Sequence, residues 1–158
     1  MVTGLGPVGL GVALLAQRLG AQVVGLERDP ARAAFARQLG IEALDYATGD
    51  NAKENNVKAV KEWAGGDGVE VAIDCSGNSL ARLTCLESAR PWGRIVFVGE
   101  EGTIEFDVSE VVIHKSLTIY GSWVCSITQM EELVDRLVRW NLHPEVKFNT
   151  YLLMRLRD

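Results

Sequence analysis

The stretch Val2-Thr3-Gly4-Leu5-Gly6-Pro7-Val8-Gly9 runs from a short apolar strand through Gly-x-Gly-x-x-Gly and directly into a helical pattern. In that setting Gly4 allows a tight turn, Gly6 lets the backbone approach an anion with no Cβ in the way, and Gly9 lets helix and strand pack closely. The start of the following helix aims its N–H groups and the positive end of its dipole at the same place, so the chemistry on offer is pyrophosphate binding. Downstream, Gln22-Val23-Val24-Gly25-Leu26 reads as a second strand with Glu27 at its end, 18 positions after Gly9. A carboxylate there accepts from both ribose hydroxyls of an adenosine, which completes a dinucleotide fingerprint. It also repels a 2′-phosphate, so NAD is expected over NADP. Arg28 and Arg32 oppose that preference, because a guanidinium can grip a phosphate, and the expectation is that Glu27 prevails.

Other chemistry lacks comparable support. His114 and His143 have neither His-x-x-x-His nor Cys-x-x-Cys company, so no metal ligand is assigned. Cys75, Cys85 and Cys125 are widely spaced and odd in number, which fits free thiols in a reducing compartment better than a disulfide framework. Tyr46, Tyr120 and Tyr151 are followed four positions on by Asp50, Val124 and Arg155, so the Tyr-x-x-x-Lys pair of short-chain dehydrogenases is missing, and no catalytic residue is assigned. A net charge of −5 over 158 residues, with no block of one sign, lacks the basic footprint of a nucleic-acid surface. Apolar runs fall far short of the roughly 20 residues a bilayer requires. The expectation is a soluble, cytoplasmic protein with no nucleic-acid or membrane partner.

The elements that must hold the glycines and Glu27 follow from periodicity. Val8, Val12, Leu15 and Leu19 recur at helical spacing until Gly20, and Asp29-Pro30 opens a second helix that Gly40 stops. Ile41 to Leu44 reads as a brief third strand, and the polar stretch Tyr46 to Asn56 leads into a helix carrying Val57, Val60 and Trp63. Val69 to Cys75 is a strand, Ser76-Gly77-Asn78 a loop, and Leu80 to Ala89 a helix. Arg90-Pro91-Trp92-Gly93 punctuates, and Arg94 to Gly99, apolar through most of its length, is assigned to the centre of the sheet. Val108 to Lys115 predicts a short helix, Leu117 to Tyr120 a strand, and Thr128 to Trp140 a closing amphipathic helix.

Alternating strands and helices imply an α/β Rossmann fold. It is a doubly wound, parallel, six-stranded sheet with helices on both faces, strand order 3-2-1-4-5-6. Ligand is then expected across the carboxyl ends of the first and fourth strands, lined by the loops Gly4 to Gly9, Ser76 to Asn78, Gly99 to Glu101 and Gly121 to Trp123. The ends of the chain fit less well. Only Met1-Val2-Thr3 precedes the first turn, where a central strand usually has about five residues, and no helix follows the tail from Glu145. The reading is a dinucleotide-binding domain at residues 1–150, a tail at 151–158, and a parent protein longer than this chain.

In order and wording the chain resembles the nucleotide-binding half of medium-chain, zinc-type alcohol and polyol dehydrogenases. The resemblance rests on Gly4-Leu5-Gly6-Pro7-Val8-Gly9, on Asp74-Cys75-Ser76-Gly77, on Gly93-Arg94-Ile95-Val96-Phe97-Val98-Gly99 and on His114 through Ser122. It implies pyrophosphate contacts at Leu5, Gly6, Pro7 and Val8, and ribose contacts at Glu27 with Arg28 and Arg32. It further implies an adenine-side contact near Ser76 and nicotinamide contacts at Val98, Gly99, Glu100, Gly121 and Ser122. It also implies NAD as cofactor, an alcohol or polyol as substrate, and a homodimer joined along Leu117 to Tyr120. In that family the zinc, its ligands and the proton relay belong largely to the other domain, whose motifs are not in this chain, so the isolated chain is expected to be inactive. Two further readings are open at this level, a methyltransferase using adenosylmethionine and a module that senses NAD(H) without reacting.

Overall fold

The computed structural model describes residues 1–143. Its elements are β1 (Val2–Thr3), α1 (Pro7–Arg18), β2 (Val24–Glu27), α2 (Pro30–Gln38), β3 (Glu42–Asp45), α3 (Ala52–Trp63), β4 (Val69–Asp74), α4 (Ser79–Ser88), β5 (Ala89–Phe97), β6 (Thr118–Gly121) and α5 (Ile127–Trp140), with one π turn at Ser109–Ile113. The six strands form one sheet in the order β3-β2-β1-β4-β5-β6, with every pairing parallel. This is the expected order. Right-handed crossovers put α1 and α2 on one face and α3 and α4 on the other, because the path reverses direction between β3 and β4. The contacts divide the chain into a unit at Met1–Ser122, which holds the whole sheet, and a second unit from Trp123 onward. The tail assigned to residues 151–158 lies outside the described residues.

Local chemistry accounts for the element ends. The Asp29 carboxylate caps α2 by accepting from the N–H groups of Ala31 and Arg32 (2.8 and 3.3 Å), and Pro30 fills the first helical position. Asn78 caps α4 in the same way, through Leu80 and Ala81. Gly20 and Gly40 close α1 and α2 in left-handed conformations, φ +90° and +82°. The next N–H in each case reaches back to the carbonyl of Ala16 or Ala36. In the second unit, Ser126 and Gln129 form a capping box at the start of α5. The core lies between the sheet and the α3–α4 layer, where Leu26, Val60, Ala72, Leu86 and Ile95 are buried together.

Three expectations are corrected. The fifth strand begins at Ala89, not Arg94, because Arg90 to Gly93 loops out of it: Val69 pairs with Ala89 and Val71 with Arg94. Such a bulge tolerates a proline that has no N–H to give. Trp92 takes φ +63° there and donates its N–H to the Lys115 carbonyl at 2.7 Å. The same strand is also not the centre of the sheet. That place belongs to β1 and β4, and β5 lies next to the edge strand β6. In its apolar run Ile95 is fully buried and Val96, Phe97 and Val98 are half-buried, as suits an interior strand at any position in the sheet. The third helix starts at Ala52, inside the stretch read as polar, because Asn56 is buried and exchanges hydrogen bonds with the Ala47 backbone.

Candidate functional site

A cleft of about 520 Å³ opens over the carboxyl ends of β1, β2 and β4. It brings together Gly4, Gly6, Glu27, Arg28, Arg32 and Ser76 from the residues singled out in the sequence. Leu5, Pro7, Val8, Gly9, Val98, Gly99, Glu100, Gly121 and Ser122 do not line it. One wall consists of Tyr46, Thr48, Gly49 and Ala52, none of which carries a sequence motif. The order of the strands could have found that wall, since β3 pairs with β2 and ends beside Glu27, where the Tyr46 N–H donates to the Glu27 carbonyl at 3.2 Å.

The three glycines of the first loop differ in what they meet. A Cβ on Gly9 would sit 1.8 Å from the Gly4 carbonyl oxygen, and one on Gly4, whose φ is +78°, would sit 2.8 Å from the Ser76 Cβ. Both glycines are therefore required by the fold itself. A Cβ on Gly6 would meet nothing within 4 Å. Gly6 caps α1 with no side chain in place, and Pro7 follows without an N–H, so the N–H groups of Val8 and Gly9 have no partner within the helix. The arrangement is an open backbone cradle at the positive end of a helix.

Glu27 is buried, and its carboxylate already has two partners. Oε2 accepts from the Leu5 N–H at 2.7 Å and Oε1 from the Asp29 N–H at 2.9 Å. Glu27 thus fixes the glycine loop to the end of β2, and each oxygen keeps lone-pair capacity toward the cleft. Leu5 faces inward: its side chain is buried against Gly25, and its N–H belongs to Glu27. Arg32 lies 3.6 Å from the Asp29 carboxylate, and Arg28 is exposed at the rim.

On the far side of the cleft a second network is built around Asp74, whose side chain has no exposed surface. It accepts from Thr3 Oγ1 (2.8 Å), from Ser76 N and Oγ (3.0 and 2.6 Å), from Gly77 N (3.1 Å) and from Arg82 Nε (3.3 Å). Arg82 extends the network by donating to the carbonyls of Gly99 (2.6 Å) and Gly102 (2.7 Å), and its guanidinium lies over the Phe97 ring. The backbone of Gly99 to Gly102 is pressed onto Gly77 so closely that a Cβ on Gly77 would fall 1.7 Å from the Glu100 carbonyl oxygen. Ser122 donates its N–H to the Phe97 carbonyl at 3.0 Å, continuing the pairing of β5 with β6.

The thiols in this region are held neutral. Burial pushes Cys75, at the cleft, up to about 12, and buried Cys85 likewise up to about 12. Burial also raises the Tyr46 phenol to about 12, and its hydroxyl is enclosed with no hydrogen-bond partner. Among the described residues no three His, Cys, Asp or Glu side chains converge on a point that could hold a metal ion, so the residues present do not fit a zinc centre. No helix among them is long and apolar enough to cross a membrane.

Comparison with known proteins gives a consistent result. The profile of the zinc-binding dehydrogenase family matches residues 7–139. An uncharacterized zinc-type alcohol dehydrogenase-like protein of Escherichia coli is 41% identical over 145 residues, 91% of this chain and 40% of that protein. An L-threonine 3-dehydrogenase of Pyrococcus horikoshii is 33% identical over 149 residues, 91% of this chain and 42% of that protein. Among solved structures, an alcohol dehydrogenase of Thermotoga maritima superposes with a TM-score of 0.77 at 26% identity, covering 87% of this chain and 39% of that one. The chain thus spans about 40% of the length of the relatives it matches.

Proposed function

This chain belongs to the zinc-binding dehydrogenase family, and from that premise we propose that residues 1–150 form the NAD(H)-binding part of an alcohol or polyol oxidoreductase. The observation that carries the reading is Gly6. The fold gives no reason for a glycine there, whereas a pyrophosphate lying against that backbone does. In this reading the N–H groups of Val8 and Gly9 hold the pyrophosphate at the start of α1. Glu27 accepts from the adenosine ribose hydroxyls, with Arg28 and Arg32 beside it and Ser76 on the adenine side. Val98 to Glu100 and Gly121-Ser122 form the nicotinamide side, since the second half of such a sheet takes the second mononucleotide. The bound nicotinamide supplies the hydride donor or acceptor. The chain's own residues bind it, orient it and keep water from it. Zinc chemistry and proton transfer are assigned to residues outside this chain, which would leave it inactive alone.

Titration with NADH, NADPH and adenosylmethionine tests the proposal by calorimetry. NADH should bind at least about tenfold more tightly than NADPH, a difference of about 1.4 kcal/mol, and adenosylmethionine should not bind. Preferential binding of adenosylmethionine, or no nucleotide binding at all, would overturn it. We further propose a homodimer through β6, whose outer edge pairs with no strand among the described residues and whose Ile119 and Tyr120 are exposed. Ile119→Lys should then convert a dimer to a monomer in light scattering, and a monomeric unmodified chain at micromolar concentration would refute it.

A further inference from the structure

Arg82 belongs to no motif, yet it is the one side chain in the described structure that ties the ends of β4 and β5 together through three separate groups. Its Nε reaches buried Asp74 at the end of β4, its two terminal nitrogens reach the Gly99 and Gly102 carbonyls beyond β5, and the Phe97 ring lies beneath it. Only 12% of the side chain is exposed. A planar guanidinium fork is suited to this task, because its donors diverge in fixed directions and an ammonium group cannot reproduce them. The Val98 and Gly99 N–H groups donate to the Asp74 carbonyl (2.9 and 3.0 Å) and fix the root of the loop, while the arginine holds it from Gly99 across to Gly102. The loop so held is also pressed against Gly77 at distances that exclude any side chain. Beyond that root the loop has two further constraints, a contact that limits its approach from below and a bridge that prevents it lifting away.

We infer that Arg82 is a positioning residue for the nicotinamide half of the bound dinucleotide. It fixes the height of the Gly99 to Gly102 loop above the carboxyl ends of β4 and β5, and so governs affinity for that half alone. The inference rests on the nucleotide reading above. Arg82 does not line the adenosine-side cleft, and neither do Gly99 and Glu100. Loss of the bridge should leave the Gly6 cradle and the Glu27 contacts intact.

ADP-ribose and NADH differ only by the nicotinamide, so their affinity ratio isolates the effect. In Arg82→Lys the NADH Kd should rise about tenfold, the ADP-ribose Kd should change less than about twofold, and the fluorescence enhancement of bound NADH should fall. Equal weakening of both ligands, or an unchanged ratio in a folded variant, would overturn the inference, as would an unmodified chain that binds NADH no more tightly than ADP-ribose. If the unmodified chain binds neither, the nucleotide reading itself fails. Should Arg82→Lys fail to fold, Phe97→Leu removes the ring beneath the guanidinium and leaves its hydrogen bonds. It should lower the ratio about threefold, and no change in the ratio would then count against the inference.

Discussion

The two sides of the site use the same residue type for opposite ends. On the side of β1 and β2, Gly6 faces an open cleft, and no described residue touches the place where its side chain would be. On the side of β4 and β5, Gly77, Gly99 and Gly102 face one another's backbones at distances of 1.7 to 2.3 Å from an added Cβ. The first is space the described chain leaves open, and the second is space the chain fills with itself. The acidic residues divide in the same way. Glu27 is half engaged, with one backbone donor on each oxygen, whereas Asp74 takes up five donors and has no capacity for a ligand. A glycine or a carboxylate in a loop can thus face open space or the chain itself, and only its surroundings decide which.

The comparison is most sharply tested within the first loop. Gly9→Ala forces a Cβ to 1.8 Å from a carbonyl oxygen, and should cost at least about 3 kcal/mol in urea unfolding. Gly6→Ala should change stability by less than about 1 kcal/mol and yet weaken NADH binding by about tenfold or more. If the two substitutions behave alike, the division between ligand space and chain space is wrong. Glu27→Ser comes next. It deprives the Leu5 and Asp29 N–H groups of their acceptor, at about 1–3 kcal/mol, and should narrow or reverse the preference for NADH over NADPH. Lost stability with an unmoved ratio would make Glu27 a structural residue like Asp74.

The closed side should also carry most of the sensitivity to alkali. Cys75 and Cys85 keep their protons in the folded chain up to about 12, whereas a thiol in the unfolded chain ionises from the usual value of 9.0. The unfolded state then binds fewer protons than the native state, so the stability the thiols contribute is constant below pH 9 and is lost as the pH rises toward 12. Lys115, lowered from 10.5 to about 8 by burial, acts the other way between those values, one proton against two up to pH 10, above which Tyr46, raised from 10.0 to about 12, adds a third on the side of the thiols. Its bonds to the Leu86 and Glu87 carbonyls favour the charged amine and weaken even that opposition. Unfolding free energy should therefore fall by on the order of 1 kcal/mol per pH unit above 9. Cys75→Ser should flatten the slope, and a flat profile in the unmodified chain would refute the assignment. The smallest effect is expected from Tyr46→Phe, which removes a hydroxyl that has no partner. It should raise the melting point slightly, with a gain of about 1 kcal/mol at most, where loss of a working hydrogen bond would lower it.

The strand order and the open side of the site were legible in the sequence because both are carried by local pattern. Apolar periodicity marks the strands, the glycine spacing marks the turn, and Glu27 follows at a fixed distance. The closed side was not legible, because Asp74, Arg82 and Gly102 meet only after two strands and a helix have packed. Nothing in Ser79 to Ser88 distinguishes Arg82 from a surface arginine. The wall at Tyr46 to Ala52 was missed for the same reason, since it becomes part of the cleft only through the pairing of β3 with β2. The start of β5 was misread because Pro91, Trp92 and Gly93 look like punctuation and prove to be a bulge within the strand.

The pairing of β1 bears on how the chain reaches its native state. Val2 lies beside Gly25 on one side and Ile73 on the other, so the central strand cannot be enclosed until a segment 71 residues away has been made and has docked. Closing so long a loop comes before any contact offsets it, and parallel pairings of this range are slow to form. The turn that follows β1 hangs on that event, since Gly4 is held by Leu26 on one flank and abuts Ser76 on the other. The glycine turn therefore depends on long-range contacts, which predicts that it assembles late. A nucleotide bound there as proposed would stabilise the finished domain by mass action but find nothing to hold in the unfolded chain, so it should leave the refolding rate unchanged while slowing unfolding.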